Sequence, residues 1–135
     1  MTPFNLRIIT PDKVFFKGEI EKIIVRTTVG DKGILAKHEP YIAALPIGTM
    51  KIMIKGNYRI AAISPGTINV GENGDTVVIV QSCEFSDEID VSRAKIAKKA
   101  AEERLSDEGV SIVDHDIAEF KLKRALNRLD AANYK

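Results

Sequence analysis

The residue types that most often perform catalysis are few in this sequence and lie far apart. The chain has one cysteine, Cys83, and two histidines, His38 and His115. A thiol nucleophile needs a neighbouring base, whereas a lone cysteine at the end of a strand is more often a small buried hydrophobic residue. The histidines lie in separate regions, and neither belongs to a pattern with metal-ligand spacing. The sequence therefore predicts no catalytic residue and no metal site.

Two further patterns have structural interpretations that are simpler than a functional one. The segment Gly30-Asp31-Lys32-Gly33 lacks the Gly-Lys-Ser/Thr ending of a phosphate-binding loop and is typical of a turn. The acidic residues Asp87, Glu88 and Asp90 precede a predicted helix. There Asp90 can act as the N-cap, because its side chain can accept a hydrogen bond from a backbone N–H two or three residues on.

Composition narrows the class of protein further. The net charge is +1 and aromatic residues make up 6% of the 135 residues, so neither the bulk charge nor a basic–aromatic pattern indicates binding to nucleic acid. No apolar run approaches the roughly 18 residues that span a bilayer. The first ten residues lack the layout of a signal peptide, and a single cysteine permits no internal disulfide. We expect a cytoplasmic protein.

Residues 1–88 have the pattern of short strands separated by turns. All five prolines and all but one of the nine glycines lie here, and several apolar runs alternate with polar residues. The pattern predicts a small flattened β-sandwich or barrel. The predicted strands are Phe4–Ile9, Ile20–Thr28, Gly48–Ile54, Asn57–Ile63 and Thr76–Ser82.

Residues 89–135 change to a helical pattern, which makes the whole chain α+β and mainly β. A first helix is predicted from Asp90 to about Leu105, a connector from Ser106 to Val113 with Gly109 ending the helix, and a second helix from Asp114 or Asp116. The two apolar faces are narrow and rich in alanine, so the helices can pack closely as an antiparallel hairpin. These faces are Ala94, Ala97, Ala101 and Leu105 on the first helix, and Ala118, Leu122, Ala125, Leu126 and Leu129 on the second.

Charges along this hairpin follow an order that resists its folding. The first helix begins basic and ends acidic, which opposes the helix dipole, whereas the second begins acidic and becomes basic. In an antiparallel pair, basic half lies beside basic half and the acidic halves meet at the tip. We therefore expect a metastable arm. An anion between the basic halves, or an acidic partner, would relieve the repulsion between its like charges. Ordinary solvated faces with local pairs such as Lys98 with Glu102 remain the alternative.

Three stretches carry a resemblance to a known family. They are the segment from Gly30 to Pro40 (Gly-Asp-Lys-Gly-Ile-Leu-Ala-Lys-His-Glu-Pro), Ile89-Asp90-Val91-Ser92-Arg93-Ala94 with Glu84 before it, and the segment from Leu122 to Leu129 (Leu-Lys-Arg-Ala-Leu-Asn-Arg-Leu). In order, spacing and total length they resemble the epsilon subunit of bacterial F-type ATP synthases over essentially the whole chain.

The resemblance implies a non-catalytic rotor subunit. In this family the sandwich sits on the central stalk between the gamma subunit and the membrane c-ring, and the helical pair moves. The extended pair rises into the alpha/beta catalytic head and restrains ATP hydrolysis, so the subunit couples the two halves of the rotor while the complex makes ATP by ion transport. The resemblance also implies that the subunit is peripheral, at the cytoplasmic face of the cell membrane, and is held there only through the complex.

The resemblance also assigns candidate site residues. Asp31 matches an acidic position near the c-ring, and His38 matches a position on the gamma-facing side. Lys123, Arg124 and Arg128 match the basic stretch that meets an acidic segment of the catalytic beta subunit.

Some family members bind a regulatory ATP in the folded hairpin, although no cofactor is required. The matching nucleotide-binding residues here are Glu84, Ile89, Asp90, Arg93, Arg124 and Arg128. The chain departs from the ATP binders at Ala100, where they place an arginine. A missing charged contact of this kind costs about 1.5–3 kcal/mol, so we expect any ATP to bind weakly.

A different class of protein fits the pattern less well. A free-standing β-sandwich that holds a small ligand, with the helical arm for dimerisation, would ordinarily use aromatic residues in its pocket. Aromatic residues are sparse here and tryptophan is absent.

Overall fold

A computed structural model describes residues 2–133, so the last two residues of the predicted arm lie outside the described part. The chain divides into two compact units, residues 1–85 and 86–135. This division falls a little before the predicted boundary at residue 88.

The first unit is a sandwich of ten strands in two five-stranded sheets. Sheet A has the order β2-β1-β9-β8-β5 and sheet B the order β10-β7-β6-β3-β4. Among the described residues every pairing is antiparallel except that of β1 with β9. The strands are β1 (Phe4–Thr10), β2 (Lys13–Ile20), β3 (Lys22–Thr27), β4 (Gly30–Leu35), β5 (Tyr41–Leu45), β6 (Gly48–Ile54), β7 (Asn57–Ile63), β8 (Gly66–Val70), β9 (Thr76–Val80) and β10 (Cys83–Phe85).

The core lies between the two sheets. Alternate residues of each strand point inward, so Leu6 and Ile8 of β1 are fully buried together with Ile23 of β3 and Ile52 of β6. Cys83 is also buried in this core, as expected for a cysteine that behaves as a small hydrophobic residue.

The five predicted strands are confirmed as β1, β3, β6, β7 and β9, but the predicted turn at Gly30–Gly33 is wrong. Gly30 begins β4, which pairs with β3 in the register Thr27↔Gly30 and Ile24↔Gly33. The turn lies just before it, at residues 28–29. Gly30 has a φ of 120°, which only glycine adopts readily. A glycine is therefore favoured here because the chain leaves the turn in this conformation. The Thr27 hydroxyl donates to the Gly30 carbonyl at 2.8 Å and fixes this corner.

The second unit begins with a 3₁₀ turn at Ser86–Glu88 and continues as two helices, α1 (Val91–Ser106) and α2 (Ile112–Ala132). Asp90 is the N-cap of α1, as predicted, and accepts a hydrogen bond from the Arg93 backbone N–H at 3.0 Å. The predicted start of α2 is wrong. Ser111 is its N-cap and accepts from the Asp114 N–H at 3.1 Å, so the helix begins earlier and the connector is shorter than expected.

The helices form the predicted antiparallel hairpin, and alanines dominate its buried positions. The buried helix residues are Ala94 and Ala101 of α1 with Ala118, Ala125 and Ala131 of α2. The prediction that Leu126 belongs to the buried stripe is wrong, because its side chain is 40% exposed. It lies about 100° around the helix from Ala125. Within residues 2–133 neither helix has the length and hydropathy needed to cross a membrane.

The close approach of β8 to β9 gives a test of the fold. A Cβ on Gly66 would overlap the Ile79 carbonyl and lie 2.7 Å from the Val80 Cα. We expect Gly66→Ala to lower the free energy of unfolding by about 1–3 kcal/mol, because two paired strands must separate. Urea unfolding measures this. The matched control is Gly33→Ala, whose Cβ would meet only the flexible Lys22 side chain at 3.5 Å. Equal effects of the two substitutions would contradict the assigned close approach.

Candidate functional site

A groove of about 670 Å³ runs between α1 and α2. Five of the residues that line it are alanines, which leave space because they carry no atoms beyond Cβ. The other six have longer side chains, and four of those are cationic. The lining residues are Ala97, Ala100, Ala101 and Arg104 of α1, and Asp114, Ile117, Ala118, Lys121, Arg124, Ala125 and Arg128 of α2.

The spacing of these residues explains why they share one groove. On α2 the long side chains recur every three or four residues, from Asp114 to Arg128, and therefore lie on a single flank of the helix. On α1 the lining residues from Ala97 to Arg104 follow the same spacing. Because four cations face one carboxylate, the groove is suited to an anion.

An ion pair across the hairpin tip departs from the charge order expected from the sequence. Arg104 Nη2 lies 3.4 Å from Asp114 Oδ2, and the side chains are 55% and 49% exposed. The expectation that only like charges meet at the tip is therefore wrong at this point. The acidic residues that end α1 include one arginine, Arg104, and it is this residue that meets the acidic start of α2. An exposed pair of this kind contributes about 0.2–1 kcal/mol.

The structure brings together only part of the predicted nucleotide site. Arg124 and Arg128 line the groove, and so does Ala100. Ile89, Asp90 and Arg93 are not among its described lining residues: Asp90 caps α1 through the Arg93 backbone N–H, and Ile89 is buried. Glu84 lies on β10, in the other unit, and Lys123 of the predicted basic stretch is on α2 outside the described lining of the groove.

Asp31 lies near the start of β4, and His38 follows three residues after its end. Arg26 faces Asp31 across the β3–β4 pair, and its Nε donates to Asp31 Oδ1 at 3.0 Å. This hydrogen bond and the guanidinium charge lower the pKa of Asp31 below its ordinary value. Val29, in the turn beside this pair, is 92% exposed. Beyond the other end of β4, His38 Nδ1 donates to the Glu39 carbonyl at 2.7 Å, and the His38 and Tyr41 rings pack edge to face.

The exposed face of sheet A carries an apolar row that the sequence analysis missed. The strand registers place five residues side by side, one on each strand, and Ile42 of β5 stands next to them with 72% exposure. The row is Val14, Ile9, Ile79, Thr67 and Ala44, of which Thr67 is the one polar member. The unbroken apolar run at residues 77–80 in β9 and the adjacent pair Ile8-Ile9 in β1, where a sandwich strand normally alternates, are the signal that could have found it. Contiguous exposed apolar residues mark protein interaction surfaces.

Three potential metal ligands also meet on α2, although the sequence predicted no site there. His115, Asp116 and Glu119 have ligand atoms within 4.8 Å of one another, and all three side chains are exposed. Exposed acidic groups are common without an ion, so this remains a surface cluster.

Comparisons with known proteins agree with both units. The family model of the ATP synthase delta/epsilon chain β-sandwich domain matches residues 3–86, and that of the long α-helix domain matches residues 87–133. The ATP synthase epsilon chain of Ruminococcus albus is 46% identical over the whole of both chains.

Two solved structures share the fold at low sequence identity. A chain in the Euglena gracilis mitochondrial ATP synthase (OSCP/F1/c-ring) has a TM-score of 0.82 at 21% identity, covering 99% of this chain and 83% of that one. A chain in the Tetrahymena thermophila mitochondrial ATP synthase (central stalk/c-ring) has a TM-score of 0.61 at 14% identity, with 98% of each chain covered. The two family models and the full-length relative show that the chain belongs to the ATP synthase delta/epsilon family, and the resemblance to epsilon subunits is confirmed.

Proposed function

We propose that this epsilon chain is a non-catalytic rotor subunit in the central stalk of an F-type ATP synthase, that it couples the catalytic head to the c-ring, and that its hairpin restrains ATP hydrolysis. The observation that carries the proposal is the apolar row on sheet A. Ile79 and Val14 are each more than half exposed, and a protein partner would remove this surface from water. Family membership favours this function over that of a free-standing binding module.

The gamma subunit and the c-ring are the proposed partners of the sandwich. The two similar structures are of ATP synthase assemblies that include a c-ring and, in one case, the central stalk, which supports this choice. The apolar row is the proposed contact with gamma, together with His38. Asp31, at the far end of β4, is assigned to the c-ring; its hydrogen bond with Arg26 lowers the pKa of its carboxyl, which favours the ionised form. The subunit is then peripheral, at the cytoplasmic face of the cell membrane, and held there by the complex.

Two properties of the hairpin support its proposed role as a movable arm. Among the described residues, the five buried positions of its helices are all alanines, so separating the helices exposes little apolar surface. Arg124 and Arg128 lie along one flank of α2, with Lys123 next to them in the sequence. These cations suit an acidic surface of the catalytic beta subunit when the arm is extended.

A regulatory ATP in the folded hairpin is the remaining part of the proposal. The groove contains Arg124 and Arg128 and is lined by small side chains that leave room for a ligand. Its position supports a nucleotide bound nearer the hairpin tip than the family motif at Asp90 and Arg93 implies.

Removing the arm tests its role as a brake. We expect truncation after Glu88 to raise ATP hydrolysis severalfold in a complex reconstituted with the alpha, beta and gamma subunits, since the sandwich remains and the helices are lost. Steady-state hydrolysis is the measurement. The charge-specific variant is Lys123→Ala/Arg124→Ala/Arg128→Ala, and its control is Lys95→Ala/Lys98→Ala/Lys99→Ala, which removes the same charge from α1. Unchanged hydrolysis after truncation would exclude an active brake.

A charge placed in the apolar row tests the proposed gamma contact. We expect Ile79→Asp to weaken binding to the gamma subunit by roughly tenfold or more, because a carboxylate would be buried against apolar surface. Tyr58→Asp is the matched control, since Tyr58 is 46% exposed on sheet B and Ile79 is 52% exposed on sheet A. Both substitutions should change the free energy of unfolding by less than about 0.5 kcal/mol. Equal losses of binding would show that the row has no special role.

Titration of the isolated chain with ATP tests the nucleotide site. We expect Arg124→Ala to weaken ATP binding by about tenfold or more, because it removes a charged contact from the groove. Arg93→Ala should have a smaller effect, since Arg93 lies outside the described lining. Isothermal titration calorimetry measures both, with Lys123→Ala as the control. If Arg93→Ala proves the more damaging, the site lies at the family motif rather than in the groove.

A further inference from the structure

The cations of the groove are unevenly divided between its two helices. Lys121, Arg124 and Arg128 all lie on the flank of α2, whereas α1 contributes three alanines and Arg104. Among the described lining residues, Arg104 is therefore the one charged group through which α1 can hold an anion. A ligand that contacts only α2 would leave the two helices unconnected.

Arg104 is in position to contact a ligand but is engaged with a weak partner. Its guanidinium meets Asp114 at 3.4 Å, and more than half of its side chain is exposed. Asp114 and Lys121 lie seven residues apart on the same flank, about 10 Å along the helix axis. Because no tight packing fixes the Arg104 side chain, rotation about its own torsions would direct the guanidinium from Asp114 along the groove toward Lys121.

We propose that Arg104 is the α1 anchor for a triphosphate group bound along the groove between Arg104 and the α2 cations Lys121 and Arg124, and that it releases Asp114 when the ligand binds. The inference rests on the proposed nucleotide site and deepens it, since it assigns the phosphate contacts to residues outside the family motif. The chemistry recognised is that of a linear triphosphate, whether it belongs to a nucleotide or is inorganic.

The exchange of partners is favourable for reasons of charge and geometry. Asp114 offers one carboxylate, which is about half exposed to water, whereas a triphosphate offers several anionic oxygens that Arg104, Lys121 and Arg124 can share. The planar guanidinium donates two parallel N–H groups, which match phosphate oxygens. A ligand held from both helices also ties the hairpin tip together, so binding stabilises the closed arm.

Two substitutions that break the same ion pair distinguish this role from a structural one. In the full chain, Arg104→Gln removes the proposed anchor, and we expect it to weaken binding of both ATP and inorganic tripolyphosphate by about tenfold or more. Asp114→Asn removes only the competitor, so binding should tighten by up to about fivefold. Isothermal titration calorimetry measures both ligands, and circular dichroism checks that helix content is unchanged.

The controls separate anchor, charge and ligand source. Lys99→Gln removes a cation of α1 that does not line the groove and should leave affinity unchanged, whereas Arg104→Lys should restore part of it. Equal losses for ATP and tripolyphosphate assign Arg104 to the triphosphate. A loss confined to ATP would overturn that assignment in favour of the nucleoside.

Three results would overturn the proposal in different ways. If Arg104→Gln binds with unchanged affinity while Arg124→Ala binds weakly, Arg104 is not a ligand contact, although the groove is still the binding site. If Arg104→Gln and Asp114→Asn both bind more weakly, the ion pair supports the structure of the site and Arg104 does not exchange Asp114 for the ligand. Absence of measurable binding of either ligand by the unmodified chain removes the whole nucleotide site. The proposed brake would still stand in each case, because truncation in the reconstituted complex tests it separately.

Discussion

The contact between two alanine-rich helix faces is the constraint on which the behaviour of this protein depends. Fully burying a Leu, Ile or Phe side chain contributes about 1.5–3 kcal/mol, whereas a methyl group contributes a fraction of that. Ala94, Ala101, Ala118 and Ala125 therefore let the helices approach closely without binding them strongly. The same small side chains leave the groove open. The use of alanine on both helices thus has two consequences: the helices associate weakly, and a ligand-sized space remains between them.

The core of the sandwich differs from that of the hairpin in the size of its buried side chains. Large side chains such as Leu6, Ile8, Met50 and Ile52 are fully buried between the two sheets, so its unfolding would expose much more apolar surface per residue than opening of the hairpin. Local opening therefore costs least in the helical unit. A surface built on the rigid sheet, such as the row around Ile79, keeps its shape whatever the arm does.

Local patterns in the sequence predicted the features that depend on local physics. Alternating strands and the Asp90 cap were found because neighbouring residues decide them. The start of α2 was missed because Ser111, Asp114 and Asp116 are all good N-caps, and local preference does not choose among them. The row around Ile79 depends on strands that are distant in the sequence, and the pair between Arg104 and Asp114 depends on how the two helices pack. Strand β4 was missed because its two glycines are typical of a turn, although its partner β3 ends only two residues before it. The parallel pairing of β1 with β9 in particular follows from no local signal.

The proposed functions of the arm are thermodynamically linked, because they use the same cations. Arg124 and Arg128 line the closed groove and are also the residues proposed to meet an acidic surface when the arm extends. One guanidinium cannot satisfy both anions at once, so a ligand in the groove must weaken engagement with the catalytic head. The linkage is reciprocal, and engagement must weaken ligand binding by the same factor. A triphosphate held from both helices through Arg104 would strengthen this coupling, because it would stabilise the closed hairpin as well as occupy its charges.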